Sequence, residues 1–290
     1  MNDLMTHELT GPSSRLTLYR RVLRRKQQTG EKHLPAISVL LCNQHADHEQ
    51  LERYNNVCGF LTGRELPAIY PHILAFPLHA ELMTDENFPF PLLGLVHIAN
   101  SITRYRPLTI NESVDISCRF GALAPHEKGT AFSILTEAAV QGKKVWESTS
   151  TMLHRHPVSG SGGKPAEAAE KDALQHAARE TWRITSNMGR RYGKASGDMN
   201  PIHLWPLTAK LFGFQRHIVH GMWTKARAVA ALTPQIGARP FTVTVAFKLP
   251  LFLPAAVTFL HQADAAGIHF DVRDQYNLKP HLKGAIKFLD

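Results

Sequence analysis

The hydrophobic pattern changes period along the chain. Residues 222–232, MWTKARAVAAL, place Trp223, Ala226, Val229 and Ala230 at helical spacing and predict a core-facing helix. Downstream, apolar runs or alternations near 241–249, 255–264, 267–274 and 282–289 are divided by Pro or Gly turns and predict strands. Upstream, an earlier helix is expected to start from Thr185 or Ser186 as N-cap, run to about Ala195 and stop at a Gly197 C-cap. The first half of the chain repeats the succession, with strands expected near 95–106, 112–122, 128–140 and 143–155. Each half therefore reads as a helix, a loop, a second apolar helix and a run of antiparallel strands. This is an α+β plan in which a sheet wraps a helix.

The halves also match residue by residue. RPLTINESVDIS (106–117) aligns with LPLFLPAAVTFL (249–260) without a gap, placing Pro107 on Pro250 and Val114 on Val257. HIL at 72–74 matches HIV at 217–219, and RYNNVCGF (53–60) matches RYGKASGD (191–198). Tyr54 then falls on Tyr192, Gly59 on Gly197, and Phe60 on Asp198. The first copy also lacks the NPIH segment and has Ala75-Phe76 where the second has His220-Gly221. The pattern reads as a duplication in which only the second copy keeps a polar site. Between the copies, residues 157–180 are first Pro/Gly/Ser-rich and then Ala/Glu/Lys-rich, as in a linker. The expected domains are 1–156, with an N-terminal extension over 1–34, and 181–290.

Composition narrows the class. With 290 residues, 43% of them hydrophobic and 20% charged, the chain supports a sizeable core. The polar start, MNDLMTHELT, does not read as a secretory signal, and the most apolar stretch, 241–260, is broken by Lys248, Pro250 and Pro254. Three widely spaced cysteines (Cys42, Cys58, Cys118) show no zinc spacing and predict reduced thiols in a cytoplasm. The net charge of +9 suits nucleic acid, an anionic surface or a phosphorylated ligand. The basic run Arg20–Lys26 lacks the aromatic interleaving of single-strand binders, so a nucleic-acid role rests on charge alone.

The candidate chemistry lies in SGDMNPIH, 196–203, and IVHGM, 218–222. Pro201 fixes its own φ and biases Asn200 to an extended conformation, which makes a stiff loop of the segment. A stiff loop holds Asp198 and His203 at a defined separation, as general acid–base work requires. Gly221 opens an apolar helix whose free N–H groups suit a developing oxyanion, and glycine admits a close carbonyl. No Ser or Cys nucleophile and no GxSxG elbow accompany these groups, which favours proton transfer beside a carbonyl over acyl transfer.

The run YGKASGDMNPIHLWPLTAKLFGFQRHIVHGM, 192–222, resembles the hydratase 2 motif of MaoC-like dehydratases, the (R)-specific enoyl-CoA hydratases and 3-hydroxyacyl-thioester dehydratases of hot-dog fold. VAFKLPLFLPAAV (245–257) is similar to the strand after that family's central helix. The resemblance implies a double hot-dog, two antiparallel sheets each wrapping a central helix, with a degenerate N-terminal repeat. It places the catalytic dyad on Asp198 and His203, a loop-supporting amide on Asn200, and the thioester oxygen at the Gly221 amide. A water held by the dyad would add to the β-carbon of a trans-2-enoyl thioester, and a proton would reach the α-carbon from the same side. One water can serve both steps, so the resemblance does not divide base from acid within the pair.

His220 fits the motif, whereas His217 has a counterpart in the degenerate half (His72) and reads as structural. Some members carry a serine where this chain has Val229. Lys248, with Arg191 or Lys194, is a candidate for a CoA diphosphate or an acidic acyl carrier protein. No cofactor, metal, nucleic acid or membrane is implied, and a double hot-dog unit can pair as a homodimer. Phe60, Phe76 and FPFPLLGL (88–95) are expected to widen an acyl tunnel. Two competing readings remain. A hot-dog thioesterase needs an acid on or near the central helix, and 222–232 has none. A non-catalytic acyl-thioester-binding protein would not need Asp198 and His203 intact.

Overall fold

The computed structural model describes residues 5–11, 32–92, 94–158, 174 and 177–289. The basic run 20–26 and most of the segment read as a linker (159–173, 175 and 176) lie outside the described residues. No helix among the described residues is long and apolar enough to cross a membrane.

The described residues form two compact units, one drawn from 1–45, 71–102 and 110–164 and the other from 46–70, 103–109 and 165–290. In the first, strands follow the order β1 (Met5–Glu8), β2 (Ile37–Gln44), β4 (Val114–His126), β5 (Gly129–Val140), β6 (Lys143–Arg155) and β3 (Leu95–Arg104). Most of helix α2 (Tyr70–Met83) belongs here. Phe88 and Phe90 are buried against Phe120 and Phe132, with ring centroids 5.3–6.1 Å apart across the cluster. These FPFP rings are therefore packed core and not the walls of a tunnel, because four aromatic faces satisfy one another.

The second unit carries β8 (Phe241–Phe247), β11 (Pro280–Phe288), β10 (Gly267–Asp274), β9 (Ala255–Ala263) and β7 (Ala178–Ile184), neighbours in that order and antiparallel throughout. Phe241, Val243 and Val245 alternate inward on β8, as do Phe270 and Val272 on β10 and Leu282 and Ile286 on β11. Helix α5 (Gly221–Ile236) is buried at nearly every position from Met222 to Ala230. A helix covered on most sides needs small residues to let neighbours approach, and Ala226 and Ala228 are fully buried. The core positions read from the periodicity (Trp223, Ala226, Val229, Ala230) are all buried.

Strand positions follow the apolar pattern closely, with three omissions. β1 was not expected, and neither were β2 and β7, which directly precede the first helix of each half. β7, ARETWRI, is an edge strand with only Trp182 and Ile184 buried, so its charged exterior masks the alternation. Trp182 pairs across to Val257 and stacks on Phe259 at 4.6 Å, worth about 0.5–1.5 kcal/mol beyond burial.

Two helices of this unit carry the matched segments 53–60 and 191–198. α1 (His48–Cys58) ends at Gly59 with φ 81°, and α3 (Met188–Ser196) ends at Gly197 with φ 84°. Both left-handed caps are glycine, the residue that adopts that conformation without steric cost. The matched tyrosines meet, with the Tyr54 and Tyr192 rings 6.1 Å apart. Gln50 Nε2 donates to the Ala195 carbonyl (3.0 Å) and Trp223 Nε1 to the Val57 carbonyl (2.9 Å). The N-cap of α3 is Asn187, not Thr185 or Ser186. The Thr185 hydroxyl instead donates to Asn187 Oδ1, and the Ser186 carbonyl receives His217.

Candidate active site

The loop leaving α3 is held from several sides. Asn200 is extended (φ −56°, ψ 124°), as a residue before proline should be, and Pro201–His203 closes a 3-10 turn. Asn200 Oδ1 accepts from Ile202 N–H (3.3 Å), and Asn200 N–H donates to Asp198 Oδ1 (3.1 Å). Asn200 thus braces the loop and fixes one oxygen of the carboxylate. Pro206 opens a short helix, α4 (Pro206–Lys210), whose Thr208 hydroxyl donates to the Pro201 carbonyl at 2.6 Å. Ile218 N–H reaches the Ile202 carbonyl and brings the second motif alongside.

Two glycines of α3 allow this approach. A Cβ on Gly189 would lie 1.9 Å from the His203 carbonyl oxygen, and one on Gly193 would lie 2.8 Å from the Asp198 carbonyl oxygen. Asp198 and His203 therefore rest their backbones on the bare face of one helix. Sequence reasoning missed these two residues. The signal was available, because glycine inside a helix is unfavourable by about 1 kcal/mol relative to alanine and asks for a packing reason. Their counterparts in α1 are Leu51 and Asn55.

Asp198, His203 and His220 converge, each offering an oxygen or ring nitrogen within 4.8 Å of the others, a donor set that could also hold a divalent cation. His203 and His220 are buried and stack with ring centroids 3.7 Å apart. Asp198 is about one third exposed, at 30%. His203 Nδ1 lies 2.9 Å from the Ile218 carbonyl. A carbonyl only accepts, so Nδ1 carries the proton and the neutral ring presents the Nε2 lone pair. His220 Nε2 similarly donates to the Asp198 backbone carbonyl (3.0 Å) and lies 3.8 Å from its carboxylate.

Burial pushes the His203 imidazole below its usual range, while the Asp198 charge and the Ile218 carbonyl pull it partly back. His220 is pushed down to about 3 by burial and by the neighbouring His203. Both rings are therefore neutral at pH 7.

Gly221 is the first residue of α5, next to His220. Trp223 and Thr224 N–H both turn back onto the His220 carbonyl, leaving the Gly221 and Met222 N–H groups ahead of the first such bond. Glycine is needed here for packing too, since a Cβ would meet the Phe247 ring at 2.8 Å. His217 is buried and bonded through Nε2 to the Ser186 carbonyl at 2.7 Å, a bracing position.

Lys248, Arg191 and Lys194 are exposed, and none has a described contact with the cluster. Lys225 also escaped notice because a lysine interrupts an apolar pattern. It is fully buried, its Nζ donates to the Val243 carbonyl at 3.1 Å, and burial holds its ammonium well below the usual range.

Comparison with known proteins places these features in a family context. Residues 169–270 match the MaoC like domain. The chain is 33% identical over 258 residues to 3-hydroxyacyl-thioester dehydratase X of Mycobacterium tuberculosis, covering 88% of this chain and 91% of that protein. The crystal structure of HtdX from the same organism superposes with a TM-score of 0.76 at 30% identity, covering 87% of this chain and all of that one. A MaoC-like dehydratase from Phytophthora capsici superposes with a TM-score of 0.73 at 17% identity, over 87% and 95% of the two chains. The fold is the double hot-dog of these proteins.

Proposed function

Because the chain belongs to the MaoC-like dehydratase family and is thus a hydro-lyase, we propose that it catalyses the reversible hydration of trans-2-enoyl thioesters to (R)-3-hydroxyacyl thioesters. The observation that carries this reading is the convergence of the Asp198 carboxylate and the neutral His203 ring beside the opening turn of α5.

In the hydration direction, a water sits between the Asp198 carboxylate and His203 Nε2. Its oxygen bonds the β-carbon as one proton passes to the pair. The carbon–carbon π electrons move toward the thioester carbonyl, whose oxygen gains charge facing the Gly221 N–H. The pair returns a proton to the α-carbon on the same face, so no net proton is gained or lost. Dehydration is the reverse. Neutral His220 keeps Asp198 in place through its backbone carbonyl and adds no second positive charge.

The duplication reading stays with this proposal. We assign 1–156 as a hot-dog copy without the dyad, 157–180 as a linker and 181–290 as the copy that bears it. Phe60 in place of Asp198, with Leu51 and Asn55 in place of the two helix glycines, supports a first copy that can neither carry nor seat the reactive loop. Its cysteines form no disulfide among the described residues, consistent with a cytoplasmic enzyme.

The test is spectrophotometric hydration of crotonyl-CoA and of a longer trans-2-enoyl-CoA by wild type, Asp198→Asn and His203→Ala. A positioned acid–base group contributes about 10²–10⁴ in rate, so each variant should lose about that much. Equal rates in all three proteins would remove the dyad. Chiral analysis of the product decides the (R) assignment.

A further inference from the structure

Between Glu180 and Asp264 the chain has a single carboxylate, Asp198, against ten lysines and arginines. The one acidic side chain of this stretch is thus the one placed in the cluster with His203 and His220. Within the same stretch lies an apolar patch that folding does not cover. Leu207 and Leu211 are 73% and 78% exposed, and Trp205 is 52% exposed. Leu207 and Leu211 are four residues apart, on one face of α4 and its following turn. Arg190 stacks on Trp205 with its guanidinium 3.8 Å from the ring, and also donates to the Leu204 carbonyl (2.8 Å). The indole is therefore held outward in a fixed orientation. Arg191, Lys194, Lys210 and Arg216 are exposed basic residues of the same stretch, and no carboxylate but Asp198 lies among them.

This patch is fastened to the reactive loop. Trp205 follows His203 by two residues, Thr208 is bonded to the Pro201 carbonyl, and Ala209 is fully buried beneath the helix. An apolar centre with a charged rim is the composition of a protein-binding surface. The phosphates of a free CoA would use the cations and leave both leucines in water. A membrane-surface helix needs a far longer apolar face than two leucines and an indole provide. An acidic protein partner uses the apolar and the basic groups together.

We propose that Trp205, Leu207 and Leu211, with Arg191, Lys194 and Lys210, form the docking face for an acidic acyl carrier protein that delivers its phosphopantetheine thioester to the Asp198–His203 site. The inference rests on the thioester reading above.

The test compares one acyl group, 3-hydroxyoctanoyl, on CoA and on a purified acidic acyl carrier protein. The enzymes are wild type, Leu207→Ser/Leu211→Ser and Lys210→Glu, whose altered side chains are solvent-exposed and outside the reactive cluster. The expected result is a KM for the carrier-bound substrate raised at least tenfold in both variants and raised by salt in wild type, with kcat and KM for the CoA thioester within twofold. Unchanged carrier kinetics, or equal losses on both substrates, overturns the docking face. A change of mass in light scattering of the leucine variant, with carrier KM unchanged, assigns the patch to a second copy and overturns it too. So does loss of binding to phosphatidylglycerol vesicles with carrier KM unchanged. Wild type active on CoA but inactive on the carrier thioester refutes the docking face alone, whereas inactivity on both refutes the thioester reading itself.

Discussion

Replacing Gly189 with alanine tests whether α3 sets the position of the dyad. The new Cβ would sit 1.9 Å from the His203 carbonyl oxygen, and real Cβ contacts do not fall below 3.0 Å. The turn must therefore retreat by about 1.1 Å, and by about 1.5 Å for ordinary contact, judged against the separations at which non-bonded atoms attract. The clashing atom is backbone of His203 itself, so the ring moves with it. The 2.9 Å bond from Nδ1 to the Ile218 carbonyl then stretches out of range. A misplacement of about 1 Å costs on the order of 100-fold in rate, or about 2.7 kcal/mol of transition-state stabilisation.

At Gly193 the corresponding gap is 2.8 Å to the Asp198 carbonyl oxygen. A shift of about 0.2–0.6 Å suffices, so Gly193→Ala should lose about 2- to 16-fold by the same proportion. Stability should move less than activity. Overpacking costs about 1–3 kcal/mol, while alanine gains back about 1 kcal/mol of helix propensity. Gly63→Ala, where a Cβ meets nothing within 4 Å, is the control and should be silent. The readouts are kcat for enoyl-CoA hydration and thermal melts by circular dichroism. A folded Gly189→Ala enzyme within threefold of wild type would refute the argument. So would a Gly193→Ala enzyme slower than Gly189→Ala.

The acid limb of kcat/KM for hydration should lie below the ordinary imidazole value, because burial lowers His203 and only its neutral form offers Nε2. Asp198→Asn removes the charge that raises it, so the residual activity of that variant should keep its acid limb at still lower pH. Stability carries the same sign at His220: its pKa is about 3 folded against 6.5 unfolded, so the unfolded chain binds the extra proton. Stability is then lost as pH falls from 6.5 toward 3, at up to about 1.4 kcal/mol per pH unit, and melts at stepped pH should show a shallower loss for His220→Gln. Trp223→Phe removes the donor to the Val57 carbonyl, which should lower stability by about 1–3 kcal/mol. An unchanged melting temperature would show that solvent satisfies that carbonyl without the indole.

Eight of the eleven strands among the described residues and the central helix were legible because their signal is periodic burial, which a single sequence carries. β7 was not, since an edge strand buries only alternate residues and Ala178–Ile184 shows just Trp182 and Ile184 to the interior. The N-cap of α3 was misplaced for a different reason. Thr, Ser and Asn stand together at 185–187, and residue type alone does not separate them: Asn187 takes the cap position while the Thr185 hydroxyl bonds to Asn187 Oδ1. The acyl-tunnel role given to the FPFP segment failed because an aromatic run looks the same in sequence whether it lines a space or fills one. Phe120 and Phe132 fill it.

The reactive loop shows what a motif leaves out. Asp198, Asn200 and His203 were visible as residue types at a spacing, and Pro201 as the source of stiffness. Nothing in SGDMNPIH says what the loop leans on. The support is the glycine pair one and two turns back in α3, whose absence of side chains lets two carbonyls pack where side chains would stand. The comparison with α1 then gains a physical content beyond the exchange of Asp198 for Phe60. Leu51 and Asn55 put side chains on the face that Gly189 and Gly193 leave bare, so restoring an aspartate at Phe60 would give the first copy a carboxylate and no seat for the loop that must carry its partner. On the proposed duplication, the first copy lacks the dyad through a filled helix face as much as through a replaced acid, and installing one there would require the glycines, the NPIH insertion and the carboxylate together.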